Sequence, residues 1–159
     1  MMLSRLGKLY IAIEYFVTNA LLIGVVFFVF TAAVMRWAGY PLAWSVEFGT
    51  LLFVWVIFLG ANRALRENRH IGVDFFTKRM PDKVRFFVEL CTMVVMIAFL
   101  LFIFYYGVLL CIENSARLIS NLPVSYSWVT AAVPTGSLLM TITLLVKFKQ
   151  TVKLLLGKG

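Results

Sequence analysis

Four long charge-poor stretches, at residues 11–35, 44–62, 84–112 and 123–146, constrain this chain more than any other feature. Each is near or above the roughly 20 residues that a helix needs to cross a bilayer core. Lipid cannot hydrogen-bond an exposed backbone, so spans of this kind must be helical. The pattern predicts an all-α integral membrane protein with four transmembrane helices, a single membrane domain over residues 1–159. Basic residues then fix its orientation. Arg5 and Lys8 precede the first stretch. Arg63, Arg66, Arg69, Lys78, Arg79, Lys83 and Arg85 lie around the middle loop, and Lys147, Lys149, Lys153 and Lys158 follow the last stretch. Four crossings put these thirteen on one side, leaving only Arg36 and Arg117 of the fifteen on the other. The positive-inside rule assigns both termini and the middle loop to the cytoplasm of a bacterial inner membrane.

Composition agrees. The chain is 62% hydrophobic and 14% charged, where a soluble domain averages about a quarter charged. Its net charge of +8 does not indicate nucleic acid. The charges flank apolar spans, where they face anionic phospholipid headgroups, and form no patch on a folded surface. Arg5 and Lys8 resemble the start of a signal peptide, but the following apolar run of 25 residues, 11–35, exceeds the about 7–15 of a signal core. It is read as a retained span, with Leu3, Leu6, Leu9 and Tyr10 as an interfacial lead-in.

Local signals place the turns. Gly39 and Pro41 break the helix in a short outer loop flanked by Trp37, Tyr40 and Trp44, an aromatic belt at the headgroup boundary. In the middle loop, Ile71, Val73, Phe75, Phe76 and Met80 interleave with Arg69, Asp74, Lys78 and Arg79, which predicts a short helix on the cytoplasmic surface. Pro81 and Asp82 suit a helix start. Glu113 and Arg117, four apart, predict a paired turn continuing the third span outward. Pro123 is read as opening the fourth span, which Pro134 and Gly136 interrupt. Asn19, Gly24, Thr18 and Thr31 in the first span are of the kind that marks helix–helix contacts.

Catalytic chemistry has no candidate constellation, and the chain is read as a non-enzyme without cofactor or metal. His70 is the only histidine, in a loop, whereas a haem anchor usually needs two ligands within the bilayer. Cys91 and Cys111 lie on one helix about 30 Å apart, too far to pair there. Glu47 sits about one turn into the second span. It reads either as a polar contact to a partner helix or to Arg36, or as a carboxylate at a helix N-terminus reaching water. Trp44, Glu47, Phe48, Leu51, Trp55, Phe58 and Asn62 follow helical spacing along that span. They form a ridge facing lipid or docking another membrane protein, and Trp55, far from both interfaces, favours protein contact.

One ordered set of residues resembles a known family. Arg36, Trp44, Glu47, Leu52-Phe53-Val54-Trp55, Phe58-Leu59-Gly60-Ala61, Ala64, Arg66-Glu67, His70-Ile71 and Val73-Asp74 are similar to the central signature of the small, Q-type membrane subunit of tripartite ATP-independent periplasmic (TRAP) transporters. Met80-Pro81, Leu122-Pro123-Val124-Ser125-Tyr126 and Pro134-Thr135-Gly136 resemble its later signatures. The resemblance implies a scaffold subunit of a sodium-coupled secondary transporter importing an organic acid, such as a sialic acid or a C4-dicarboxylate. It implies two partners: a large multi-helix membrane subunit carrying the substrate and sodium sites, and a periplasmic substrate-binding protein. On this reading the second-span ridge meets the large subunit. Arg66, His70 and Asp74 hold a cytoplasmic turn. Arg36, Tyr40, Glu113 and Arg117, on the outer side, are placed to touch the binding protein. The basic tail near Gly159 reads as the end of a separate subunit.

The physics of the spans fits a scaffold. They offer no buried ion pair or central carboxylate with which to bind a solute, but many aromatic and small residues with which to bind another membrane protein. The alternative is a self-contained four-helix exporter of the small multidrug type. That needs a carboxylate deep in the first span, whereas Glu14 lies at its cytoplasmic edge, and dual-orientation versions need weak charge bias. An anchor subunit of a redox complex is opposed by the lack of a histidine pair.

Overall fold

The computed structural model describes residues 2–67 and 82–156. Helix α1 (Met2–Trp37) is followed by α2 (Ala43–Arg66) and α3 (Asp82–Glu113). A 3₁₀ turn (Asn114–Ala116) leads into strands β1 (Leu118–Ile119) and β2 (Leu122–Ser125), then a short helix α4 (Ser127–Thr130) and α5 (Ala132–Leu156). Among the described residues four segments are long and apolar enough to cross a membrane: Leu9–Trp37, Ala43–Arg66, Phe87–Ala116 and Ser127–Lys153. The predicted helix start at Pro81 and Asp82 falls at the edge of the described residues, which resume at Asp82 within α3. The predicted surface helix of the middle loop, with Ile71, Val73, Phe75, Phe76 and Met80, lies outside the described residues.

The turn after α1 has a specific cause. Gly39 takes φ +87°, a left-handed conformation that costs residues with a Cβ. Its N–H donates to the Arg36 carbonyl at 3.2 Å, and the Tyr40 N–H donates to the Met35 carbonyl at 2.9 Å. These are the two bonds of a Schellman motif, which satisfies the last carbonyls of a helix and reverses the chain.

The chain divides into two compact units. One comprises Met1–Gly60 and Leu110–Ala132, the other Ala61–Leu109 and Val133–Gly159. In the first, small residues bring α1 and α2 together. A Cβ on Gly24 would stand 3.0 Å from Leu52 Cδ1, and one on Gly49 would stand 3.2 Å from Val29 Cγ2. The Ser45 hydroxyl, fully buried, donates to the Phe28 carbonyl at 2.9 Å. The Phe28 ring meets Phe48 edge-on at 4.8 Å and Trp44 at 6.3 Å. In the second unit, Leu65, Leu100 and Leu144 are buried, with Met93, Met96, Ile97 and Met140 around them. Gly107 admits α5: its Cβ position lies 3.1 Å from Pro134 Cδ and 3.3 Å from the Pro134 nitrogen. Thr143 Oγ1 donates to Asn62 Oδ1 at 2.8 Å, and one turn further on the Lys147 ammonium donates to the Leu65 carbonyl. Lys147 thus places positive charge at the C-terminal end of α2, where the helix dipole favours it.

Two local expectations are corrected. Pro123 does not open the fourth span. Residues 122–125 form β2, paired antiparallel to β1 with Ile119 opposite Leu122 and Leu118 opposite Ser125, and the helix starts at Ser127. An extended chain fits Pro123, whose missing N–H suits an edge strand. Nor do Glu113 and Arg117 form an ion pair. The helix tightens to 3₁₀ at Asn114, and Arg117 is extended at φ −83°, ψ 128°. Its guanidinium lies over the Tyr126 ring, 4.8 Å from the centroid. The expected interruption by Pro134 falls at Ala131, between α4 and α5. Proline has no N–H for the carbonyl four residues back, Thr130, so the helix breaks there.

Candidate functional site

The polar groups of the first unit concentrate where α3 ends and α4 begins. A helix end leaves backbone carbonyls without partners, and in a membrane protein these must be met by side chains. Ser127 Oγ donates to the Cys111 carbonyl at 2.7 Å, and Asn114 Nδ2 donates to the Leu110 carbonyl at 2.8 Å. Ser125 Oγ donates to the Ser115 carbonyl at 2.9 Å and accepts from the Ser127 N–H at 3.2 Å, the first N–H of α4. The Cys111 thiol faces the Ser127 carbonyl at 3.6 Å, so this cysteine is a packing and capping residue. The Tyr126 N–H donates to the Arg117 carbonyl at 2.8 Å and continues the β1–β2 ladder.

Two residues of α2 fasten this cap. Glu47 Oε2 accepts from the Asn121 N–H at 2.8 Å, and its Oε1 accepts from Asn121 Nδ2 at 2.7 Å. Asn121 lies at the tip of the β1–β2 hairpin, so one carboxylate holds the tip by two charge-assisted bonds. Trp55 Nε1 donates to the Trp128 carbonyl at 3.0 Å, in the short helix α4. Glu47, Thr50, Arg117, Leu118, Ile119 and Tyr126 line a shallow hollow of about 150 Å³ beneath the hairpin. It is small and open, and its carboxylate is already occupied by Asn121.

The residues singled out from sequence therefore fall into three groups. Along α2, Glu47, Trp55 and Asn62 spend their polar atoms within the chain, while Phe48, Leu51 and Phe58 are half-buried and Trp44 is partly exposed against Phe28. Arg36, Tyr40, Glu113 and Arg117 are all exposed. Among the described residues none of these four forms an ion pair with Glu47, whose carboxylate is held by Asn121. Of the cytoplasmic set, Arg66 ends α2, whereas His70 and Asp74 lie outside the described residues. Sequence reading missed the hydrogen-bonding roles of Asn114, Asn121, Ser125 and Ser127. The Ser-Tyr-Ser run before an apolar stretch is a helix-start signal that marks two of them.

The sequence profile described as "Tripartite ATP-independent periplasmic transporters, DctQ component" matches residues 22–154. The Sialic acid TRAP transporter permease protein SiaT of Haemophilus influenzae is 32% identical over 100 residues, which are 63% of this chain and 16% of that protein. The Sialic acid TRAP transporter small permease protein SiaQ of Vibrio cholerae is 28% identical over 117 residues, covering 74% of this chain and 68% of that protein. The chain thus spans a small part of the first relative and about two thirds of the second. A component of such a transporter is a multi-pass protein of the inner membrane and not an enzyme, which agrees with the four spans. Family profile and fold together show that this chain belongs to the DctQ component family of the tripartite ATP-independent periplasmic transporters.

Proposed function

We propose that the chain is the small scaffold subunit of a sodium-coupled TRAP transporter that imports an acidic sugar of the sialic acid type. A large multi-helix subunit carries the substrate, and a periplasmic binding protein delivers it. The observation that carries the scaffold role is how the interior is used. Buried hydroxyls and amides are bonded within the chain: Ser45 to Phe28, Thr18 to Glu14, Thr141 to Ser137 and Asn62 to Thr143. Groups committed in this way do not strip water from a solute, whereas a transport site needs polar groups held open for one. The names of the two relatives support sialic acid over a C4-dicarboxylate.

Both termini lie in the cytoplasm, and the exposed Arg36, Tyr40, Glu113 and Arg117 face the periplasm, where the binding protein docks. The fixed hairpin beside Arg117 provides a firm edge for that contact. The test is reconstitution. Proteoliposomes holding this chain and the large subunit are expected to take up labelled sialic acid only with the binding protein outside and a sodium gradient. Uptake of equal rate without this chain would refute the assigned role. Drug efflux by the chain alone would replace that role with the small-exporter reading.

A further inference from the structure

One face of α1 repeats every 3.5 residues. Phe16, Asn19, Ile23, Val26 and Phe30 are spaced alternately by three and four, the a and d positions of a heptad. All five are exposed, the four apolar ones by 62% to 75%. Leu22 and Phe27 flank the same stripe and with it form a shallow apolar groove.

Lipid tails would cover the apolar members as well as a protein would. Asn19 decides between them. It lies within the span Leu9–Trp37, about 15 Å along the axis from one end and about 27 Å from the other. That is inside a hydrocarbon core about 30 Å thick. Its carboxamide brings two donors and an acceptor. Among the described residues no side-chain hydrogen bond holds it. An unmet amide in hydrocarbon is costly, and lipid tails carry nothing to meet it. The ridge on α2 does not present the same problem, because Glu47, Trp55 and Asn62 have partners inside the chain.

We propose that this seam of α1 is the docking surface for the large multi-helix subunit. One of its transmembrane helices lies along α1 in left-handed knobs-into-holes packing and offers a polar group to Asn19. The inference rests on the subunit role proposed above and names the surface through which that role is exercised. A large subunit fits better than a second copy of this chain. In the Haemophilus permease protein the matching segment is 16% of one polypeptide, which sets one such module beside a much larger one.

The test uses the tagged full-length chain in its native membranes, with the photo-crosslinker p-benzoylphenylalanine replacing Phe16, Ile23 or Phe30 in turn. Irradiation is expected to give adducts that mass spectrometry identifies as the large subunit. Asn19→Leu is expected to lower the amount of large subunit retained through detergent purification roughly three- to tenfold, with the melting temperature of the isolated chain unchanged or raised. If the large subunit co-purifies with the wild-type chain but the seam yields only lipid adducts, the seam is refuted and the subunit role stands. Adducts between two copies of the chain, or undiminished retention in Asn19→Leu, also refute it. If no large subunit co-purifies with the wild type, both proposals fall together.

Discussion

Glu47 and Asn121 lie 74 residues apart in sequence and meet through two hydrogen bonds at 2.7 and 2.8 Å. Their site is exposed, so the clasp is worth about 1 kcal/mol and not several. Glu47→Ala and Asn121→Ala are each expected to lower the stability of the purified chain by about that amount, with the double variant little worse than either. Thermal unfolding in detergent reads this non-additivity; additive losses would mean that the two residues act separately. Thr143→Val is expected to cost about 0.6–1.7 kcal/mol, the range for an interhelical hydrogen bond in a membrane protein. Unfolding in denaturing detergent measures it. Glu47 is conspicuous in the sequence as an acid inside an apolar span, and Asn62 is the polar residue that ends that span. Their partners are not legible there, because Asn121 and Thr143 look like ordinary loop and helix residues until the fold carries them across. The same limit hid the role of Lys147, which counts as a topological charge in the sequence and closes the end of α2 in the structure.

Elements show the opposite balance. Lengths of apolar sequence place the first three spans within a few residues of Leu9–Trp37, Ala43–Arg66 and Phe87–Ala116, because span length is imposed by the bilayer, although helix α1 itself starts earlier, at Met2. The β1–β2 hairpin was illegible. It contains only six strand residues, and Pro123 reads equally as an edge-strand residue and as the first turn of a helix. Glycines mark where elements approach, and their surroundings predict an order of effects. Gly107→Ala would press a Cβ on the Pro134 ring and its backbone nitrogen, 3.1 and 3.3 Å away, so a loss of about 1–3 kcal/mol is expected. Gly24→Ala meets only the tip of the Leu52 side chain, which can turn aside. It gains helix propensity and is expected to be near neutral. Gly39→Ala must hold a left-handed backbone and should cost about 1–2 kcal/mol. Melting temperatures of the three variants rank them. If Gly24→Ala proved worse than Gly107→Ala, the packing described around Gly107 would be wrong.

For the whole molecule, the charge pattern makes a prediction about sides. In a background with Cys91 and Cys111 replaced by serine, a cysteine at Ser120 is expected to react with an impermeant maleimide added to intact spheroplasts. One at Lys149 should react only after lysis. Labelling at position 149 but not at 120 in intact spheroplasts would mean that the orientation is the reverse. The four crossings, their order and the membrane class were all readable from composition along the chain, since hydropathy is a property of segments. What joins them was not, because closeness at Gly107 or Ser45 depends on which faces turn inward. The reversal at Gly39 adds a consequence for biogenesis. Only Ala38 to Leu42 separate α1 from α2, the link carries no charge, and its last turn is locked by the Met35 and Arg36 carbonyls. A link this short makes the two helices insert together: with the termini in the cytoplasm as proposed above, Arg36 is the one cation beside the link to be carried over, and neither helix is inverted without the other.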